Sequence, residues 1–201
     1  MTSSGSDAAA EWDAMYAEKH TVWSGEPNAQ LLAEGTSLAP GTALDVGCGE
    51  GADAVWLAQK GWDVTAVDIS EIALDRARSH AASAGVDVSF EHADLVAAPP
   101  AAGSYDLVSA QYFHLPDPPR AEAYRGLGAA VRPGGHLLVV GHYPSEHIGK
   151  DHPERLFTIE EIVGLFDGWE VVTSDIRERT AMHHGELSDL VDGVVLLKRA
   201  G

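Results

Sequence analysis

The run Leu44-Asp45-Val46-Gly47-Cys48-Gly49-Glu50-Gly51 constrains this chain more than any other. A strand pattern over Thr42–Val46 breaks into a glycine-rich turn, and a helical pattern over Gly51–Lys60 follows at once, with Ala54, Leu57 and Ala58 on one face. Glycine adopts positive φ without steric cost and lets a ligand approach the backbone closely. In open α/β sheets, ligands sit outside the carboxyl ends of the strands, near the switch in strand order. Seventeen residues after Gly51, Asp68 closes a second strand, VTAVD, where a carboxylate can accept hydrogen bonds from ribose hydroxyls. A glycine turn followed by an acidic strand end is the grammar of nucleoside recognition. It leaves open whether the ligand is a dinucleotide or an adenosyl sulfonium.

The rest of the chain repeats the strand–helix alternation. Trp62–Val67 reads as the second strand, followed by a helix capped by Ser70 and ended near Ala84 by Gly85. Val86–Glu91 and Tyr105–Ala110 read as further strands, Ala121–Val131 as a helix, and His136–Gly141 as the fifth strand. Thr158–Phe166 reads as a helix with Thr158 at its cap and Glu160 and Glu161 in its first turn, where the helix dipole favours acids. Trp169–Ile176 and Gly193–Arg199 form a final pair of strands, with Arg177–Asp192 between them carrying no structure signal. These elements predict an α/β, doubly wound, mostly parallel seven-stranded sheet with an antiparallel edge strand. Residues 1–39 read as an N-terminal helical cap: a frayed Ser/Gly/Ala start, a helical stretch holding Trp12, Met15 and Tyr16, a turn around Trp23, and a short helix near Leu31. Residues 40–201 form the main domain.

Composition narrows the partners. The chain carries 13 Lys+Arg against 31 Asp+Glu, a formal charge of −18, with no basic cluster. Nucleic-acid affinity comes mostly from cations neutralising phosphates, so DNA, RNA and anionic membranes are not expected partners. The opening residues lack the basic and apolar regions of a secretory signal, and the single Cys48 makes no internal disulfide; a cytoplasmic location is the expectation.

Five segments in order resemble the class I S-adenosylmethionine-dependent methyltransferases. LDVGCGEG is similar to that family's first motif, VTAVDIS to its second, and Phe90–Leu95 to its adenine-binding motif; Tyr105–Ala110 and Val131–Leu137 resemble the fourth-strand motif and the run into the fifth strand. The resemblance implies S-adenosylmethionine as cofactor and S-adenosylhomocysteine as product. It places Gly47 and Gly49 along the methionine part, Asp45 near its amino group, Asp68 on the ribose diol and Ile69 against the adenine. It also places Asp94 on the adenine amino group with Leu95 beside it, and Ala110 and Gln111 on the wall between cofactor and acceptor. The N-terminal Trp12…Tyr16…Trp23 pattern is similar to the small-molecule branch of tellurite-resistance and thiopurine type, where the N-terminal segment folds over the cofactor. Tyr16 and Trp23 then serve as a lid over a sulfonium, which an aromatic face attracts, or simply glue the cap to the core.

The reaction this implies is in-line methyl transfer to O, N or S of a small-molecule acceptor, by a monomer or homodimer. Its two rivals are a nicotinamide-dependent oxidoreductase on a similar fold and a non-catalytic cofactor-binding module. Asp45 and Glu50 around the glycines disfavour a diphosphate, and no Tyr is followed by Lys four residues on. His114, with Tyr112 nearby, and His142 with Tyr143 follow strands four and five, which puts both histidines over the site as candidates for the acceptor pocket or a general base. His142, His147 and His152 recur every five residues, a spacing that does not stack metal ligands on one helix face, and no metal is expected.

Overall fold

The computed structural model describes residues 5–19, 21–116, 119–144, 153–183 and 186–201. Two N-terminal helices, α1 (Gly5–Glu18) and α2 (Ala29–Gly35), precede β1 (Thr42–Val46), α3 (Ala52–Gln59), β2 (Asp63–Asp68), α4 (Glu71–Ala84) and β3 (Ser89–His92). Then come β4 (Tyr105–Gln111), α5 (Arg120–Ala130), β5 (Val131–His142), α6 (Ile159–Val163), β6 (Glu170–His183) and β7 (Glu186–Lys198). The seven strands form one sheet in the order β3-β2-β1-β4-β5-β7-β6. β1 to β5 are mutually parallel, and β7 runs antiparallel between β5 and the outermost β6.

Alternating side chains in the buried strands feed two core layers. On one face Leu31 of α2 and Ala54, Trp56 and Leu57 of α3 pack on Ala43, Val64, Leu107, Leu138, Val140, Val194 and Leu196. On the other, Tyr124 and Leu127 of α5 and Ile159 and Ile162 of α6 pack on Leu44, Val46, Val108, Leu137, Val139, Val195 and Leu197. Period-2 alternation with both sets apolar is what a sheet covered on both faces requires.

Several boundaries depart from the sequence reading for stated local reasons. α3 and α4 both end in Schellman motifs on left-handed glycines. Gly61 and Trp62 donate to Ala58 and Leu57, and Gly85 and Val86 to Ala82 and Ala81. The Trp62 and Val86 amides are thereby spent on caps, so β2 starts at Asp63 and β3 only at Ser89. α6 has the expected Thr158 cap, extended to a capping box with Glu161, but stops at Val163. The N-terminus is helical from Gly5, earlier than the frayed start expected. The largest correction is residues 177–183 and 186–192: they lie in β6 and β7, which pair in one register from Thr173↔Leu196 to His183↔Glu186, after an irregularity between Val171 and Thr173. Among the described residues no helix is long and apolar enough to cross a membrane.

Candidate active site

Strand order reverses direction between β1 and β4, so the crevice outside their carboxyl ends is the switch point of the sheet. Its floor is the turn after β1. Gly47, Gly49 and Gly51 sit at φ +65°, +52° and +84°, conformations that side-chain-bearing residues rarely adopt. The Gly49 amide donates to Asp68 Oδ2 at 2.8 Å and the Ser70 amide to Asp68 Oδ1 at 2.9 Å. Asp68 therefore stitches the end of β2 to the turn, and each of its oxygens keeps a lone pair. Gly47 is exposed, leaving its backbone open to a ligand.

Asp45, at 2% exposure, lies beneath this turn. The Ala54 amide bonds to the carboxylate. Its Oδ2 has no hydrogen-bond partner among the described residues. Burial, with Asp53 and Asp68 nearby, holds its carboxyl well above the ordinary carboxylate range. Asp53 is pushed up to about 6, chiefly by burial, and burial raises Asp68 as well, against the amides that bond it. Three carboxylates and a missing partner make this floor a place that attracts a cation and repels an anion.

The remaining expected residues fall around the crevice. Asp94 Oδ1 accepts from the Val96 and Ala97 amides, fixing the loop after β3, with Leu95 buried beside it. Ile69 is half-buried and its carbonyl meets His92 Nε2 at 2.9 Å. Ala110 is buried at the end of β4, and the Gln111 side-chain amide donates to Ser109 Oγ, while its Oε1 has no partner among the described residues. Tyr112 has φ +53°, the one non-glycine in the left-handed region among the described residues. That turn sends the chain across the mouth of the sheet, and the His142 amide donates to His114 Nε2 at 3.1 Å. Burial and the neighbouring His142 push His114 down to about 4. The Tyr143 ring packs at the edge of the core near Gly193. Of the other histidines considered above, His147 and His152 lie outside the described residues. No group of three or more potential ligands for a metal occurs among those described.

Tyr16 and Trp23 meet directly over the turn. Trp23 Nε1 donates to the Tyr16 hydroxyl at 2.9 Å, and a Cβ built on Gly49 would stand 2.9 Å from that hydroxyl. The anchor of this segment escaped the sequence reading. Glu50, 3% exposed, accepts from the Val22 and Trp23 amides and pairs with Arg76 at 2.7 Å, while Arg76 also bonds the Tyr16 and Lys19 carbonyls. Farther along, the Asn28 amide donates to Asp53 Oδ1 at 2.6 Å and the Asn28 side chain bonds Tyr112. Replacing Arg76 by Ala removes hydrogen bonds worth about 1.5–3 kcal/mol each where charge is involved. Amides of residues 5–19 should then exchange roughly 10- to 100-fold faster while those of β1 and β4 stay protected. Unchanged N-terminal protection would show that the clasp does not hold the segment.

Comparison with known proteins agrees with this geometry. The family described as "Methyltransferase domain" matches residues 43–135. The ubiquinone biosynthesis O-methyltransferase of Vibrio parahaemolyticus is 34% identical over 179 residues, covering 79% of this chain and 74% of that protein. Its counterpart in Marinobacter nauticus is 38% identical over 113 residues, 54% of this chain, and there the match spans only 47% of the relative's length. A solved structure from work on conversion of a disulfide bond into a thioacetal group during echinomycin biosynthesis superposes with a TM-score of 0.78 at 25% identity, covering 96% of this chain and 92% of that one. Because a relative more than 30% identical is matched over about three quarters of its length, and the matched fold puts its glycine turn and acidic strand ends around one crevice, this chain belongs to the class I S-adenosylmethionine-dependent methyltransferase family.

Proposed function

We propose that this protein transfers a methyl group from S-adenosylmethionine to O, N or S of a small-molecule acceptor. The observation that carries this reading is the buried Oδ2 of Asp45, which has no hydrogen-bond partner among the described residues. A cationic amino group satisfies that atom, whereas a diphosphate placed among Asp45, Asp53, Asp68 and Glu50 meets only repulsion. In this reading Gly47 and Gly49 run along the methionine moiety and Asp68 accepts from the ribose hydroxyls. Asp94 takes the adenine amino group between Ile69 and Leu95, and Ala110 and Gln111 separate cofactor from acceptor. Tyr16 and Trp23 cover the site. When bound, the cofactor supplies an electrophilic methyl group on a sulfonium. The protein holds the nucleophile about 3–3.5 Å from it and excludes water. Tyr112, His114, His142 and Tyr143 form the acceptor side. A thermal-shift panel tests the cofactor: at about 100 times Kd, S-adenosylhomocysteine adds about 2.7 kcal/mol, roughly 5–11 °C at this size. Stabilisation by NAD(H) or NADP(H) instead would favour the oxidoreductase. Binding of S-adenosylhomocysteine without turnover of phenols, thiols, amines or heterocycles would favour the non-catalytic module.

The raised carboxyls add a pH prediction. In the free protein Asp45, Asp53 and Asp68 hold protons to higher pH than in an unfolded chain, where Asp titrates near about 3.9. They therefore favour the native state at low pH, and that contribution is lost as pH rises through their folded values, about 6 for Asp53. The ligand's ammonium favours ionised Asp45, so binding expels the proton that the raised carboxyl holds. Titrating S-adenosylhomocysteine over a pH series, in buffers of different ionisation enthalpy, should show net proton release and an affinity that increases with pH where release occurs. No release at any pH of the series would contradict the ammonium–Asp45 pairing.

A further inference from the structure

Four neighbouring strands each send one polar side chain to a single point at the mouth of the sheet: Tyr112 after β4, His142 on β5, Asp192 on β7 and Arg179 on β6. Asp192 is fully buried at the centre. Tyr112 Oη donates to its Oδ2 at 3.0 Å, Arg179 Nε bonds the same oxygen, and an Arg179 terminal nitrogen donates to Tyr112 Oη at 2.7 Å. His142 Nδ1 faces Asp192 Oδ1 at 3.4 Å, and the Tyr112 and His142 rings lie 4.6 Å apart. Val194 and Leu196 occupy the following positions on this face of β7, so packing alone would be served by another apolar residue. A buried carboxylate is costly unless several partners hold it. Here burial raises the Asp192 carboxyl, but His142, Arg179 and Tyr112 outweigh it and hold it below the usual range, ionised.

An ionised oxygen opposite Nδ1 favours the tautomer with the proton there, which puts the imidazole lone pair on Nε2. His114 differs: its Nε2 already accepts the His142 amide. We propose that Asp192 is a positioning residue that fixes His142 in the Nδ1–H tautomer, so that His142 Nε2 removes the proton from a hydroxyl or thiol acceptor during methyl transfer. This rests on the methyltransferase reading. The acceptor's O–H or S–H bond breaks and its proton passes to Nε2. The freed electron pair forms the new bond to the methyl carbon, and the pair of the broken carbon–sulfur bond stays on sulfur, neutralising the sulfonium. The imidazolium is stabilised by Asp192 and returns its proton to solvent. Neutral amines carry a free pair and do not need this step, so the cluster marks the acceptor as a protic weak acid such as a phenol or thiol.

The test uses the full chain saturated with S-adenosylhomocysteine. Long-range proton–nitrogen NMR of ¹⁵N-labelled protein should show His142 as the Nδ1–H tautomer, and Asp192→Asn should move the population toward Nε2–H. With a panel of phenols, thiols and amines, Asp192→Asn and His142→Gln should lower kcat on phenols and thiols about 10²- to 10⁴-fold, the range of general acid–base catalysis. Asp192→Asn should cost amine turnover far less than phenol turnover and leave S-adenosylhomocysteine affinity within about 3-fold. An Nε2–H tautomer in the unmodified protein, or equal loss on amines and phenols, overturns the proposal while leaving the methyltransferase reading intact. Failure of the unmodified protein to bind S-adenosylhomocysteine overturns that reading instead, and the proposal with it.

Discussion

Replacing Asp45 by Asn should weaken S-adenosylhomocysteine binding by about 3–5 kcal/mol, roughly 10²- to 10³-fold or more, because one partner of a buried charge pair is removed while the ligand's ammonium stays. Asn keeps the shape of the side chain and an oxygen for the Ala54 amide. The free protein should not lose stability. Its Asp45 carboxyl is raised by burial and by Asp53 and Asp68, so ionising it costs free energy that the amide does not. The combination of lost affinity with equal or higher melting temperature separates a binding carboxylate from a structural one. Calorimetry and a thermal melt on the same sample read both. An Asp45→Asn protein that unfolds earlier and still binds with unchanged affinity would place Asp45 in the framework rather than in the site.

Gly51→Ala should be the most destabilising small substitution in the turn. At φ +84° any Cβ is strained, costing about 1–2 kcal/mol. A Cβ there would also stand 2.8 Å from Ala77 Cβ and 3.1 Å from Ala77 Cα, backbone of α4 that cannot swing aside. Overpacking of this kind costs about 1–3 kcal/mol, so the sum is about 3 kcal/mol, or a fall of roughly 6–12 °C in Tm. Gly85→Ala is the control. Its φ is +69° but a Cβ meets nothing within 4 Å, so it should lose only the backbone part. Equal losses at the two positions would mean that α3 and α4 are not pinned together at Gly51.

What the sequence reveals about this molecule follows the range of the forces involved. Helix stops at Gly61 and Gly85, the caps at Ser70 and Thr158 and the turn at Gly47–Gly51 are local events, and they read directly from neighbouring residues. The strand starts after Gly61 and Gly85 were shifted because the capping bonds consume amides that a propensity argument assigns to the sheet. Residues 177–192 do not read as strand, since RERTAMHHGELSDLVD has no alternation of apolar side chains. Cross-strand pairing along the β6–β7 ladder, which the period of a single strand does not display, makes residues 177–183 and 186–192 extended. The same holds for the site. Asp45, Asp68 and Asp94 flag themselves by position at strand ends, whereas Glu50–Arg76 and His142–Asp192 join residues 26 and 50 positions apart. Asp192 did leave one signal: a lone acid beside Gly193 at the head of the apolar run VVLL, which a buried strand tolerates only if something answers its charge.

In a crystal structure of the protein with S-adenosylhomocysteine, the ligand should lie in the crevice beside Gly47 and Gly49, its amino nitrogen within hydrogen-bond distance of Asp45 Oδ2 and its ribose hydroxyls on Asp68. A nucleoside bound elsewhere, or seated with its amino group pointing away from Asp45, would overturn the assignment of this crevice as the cofactor site.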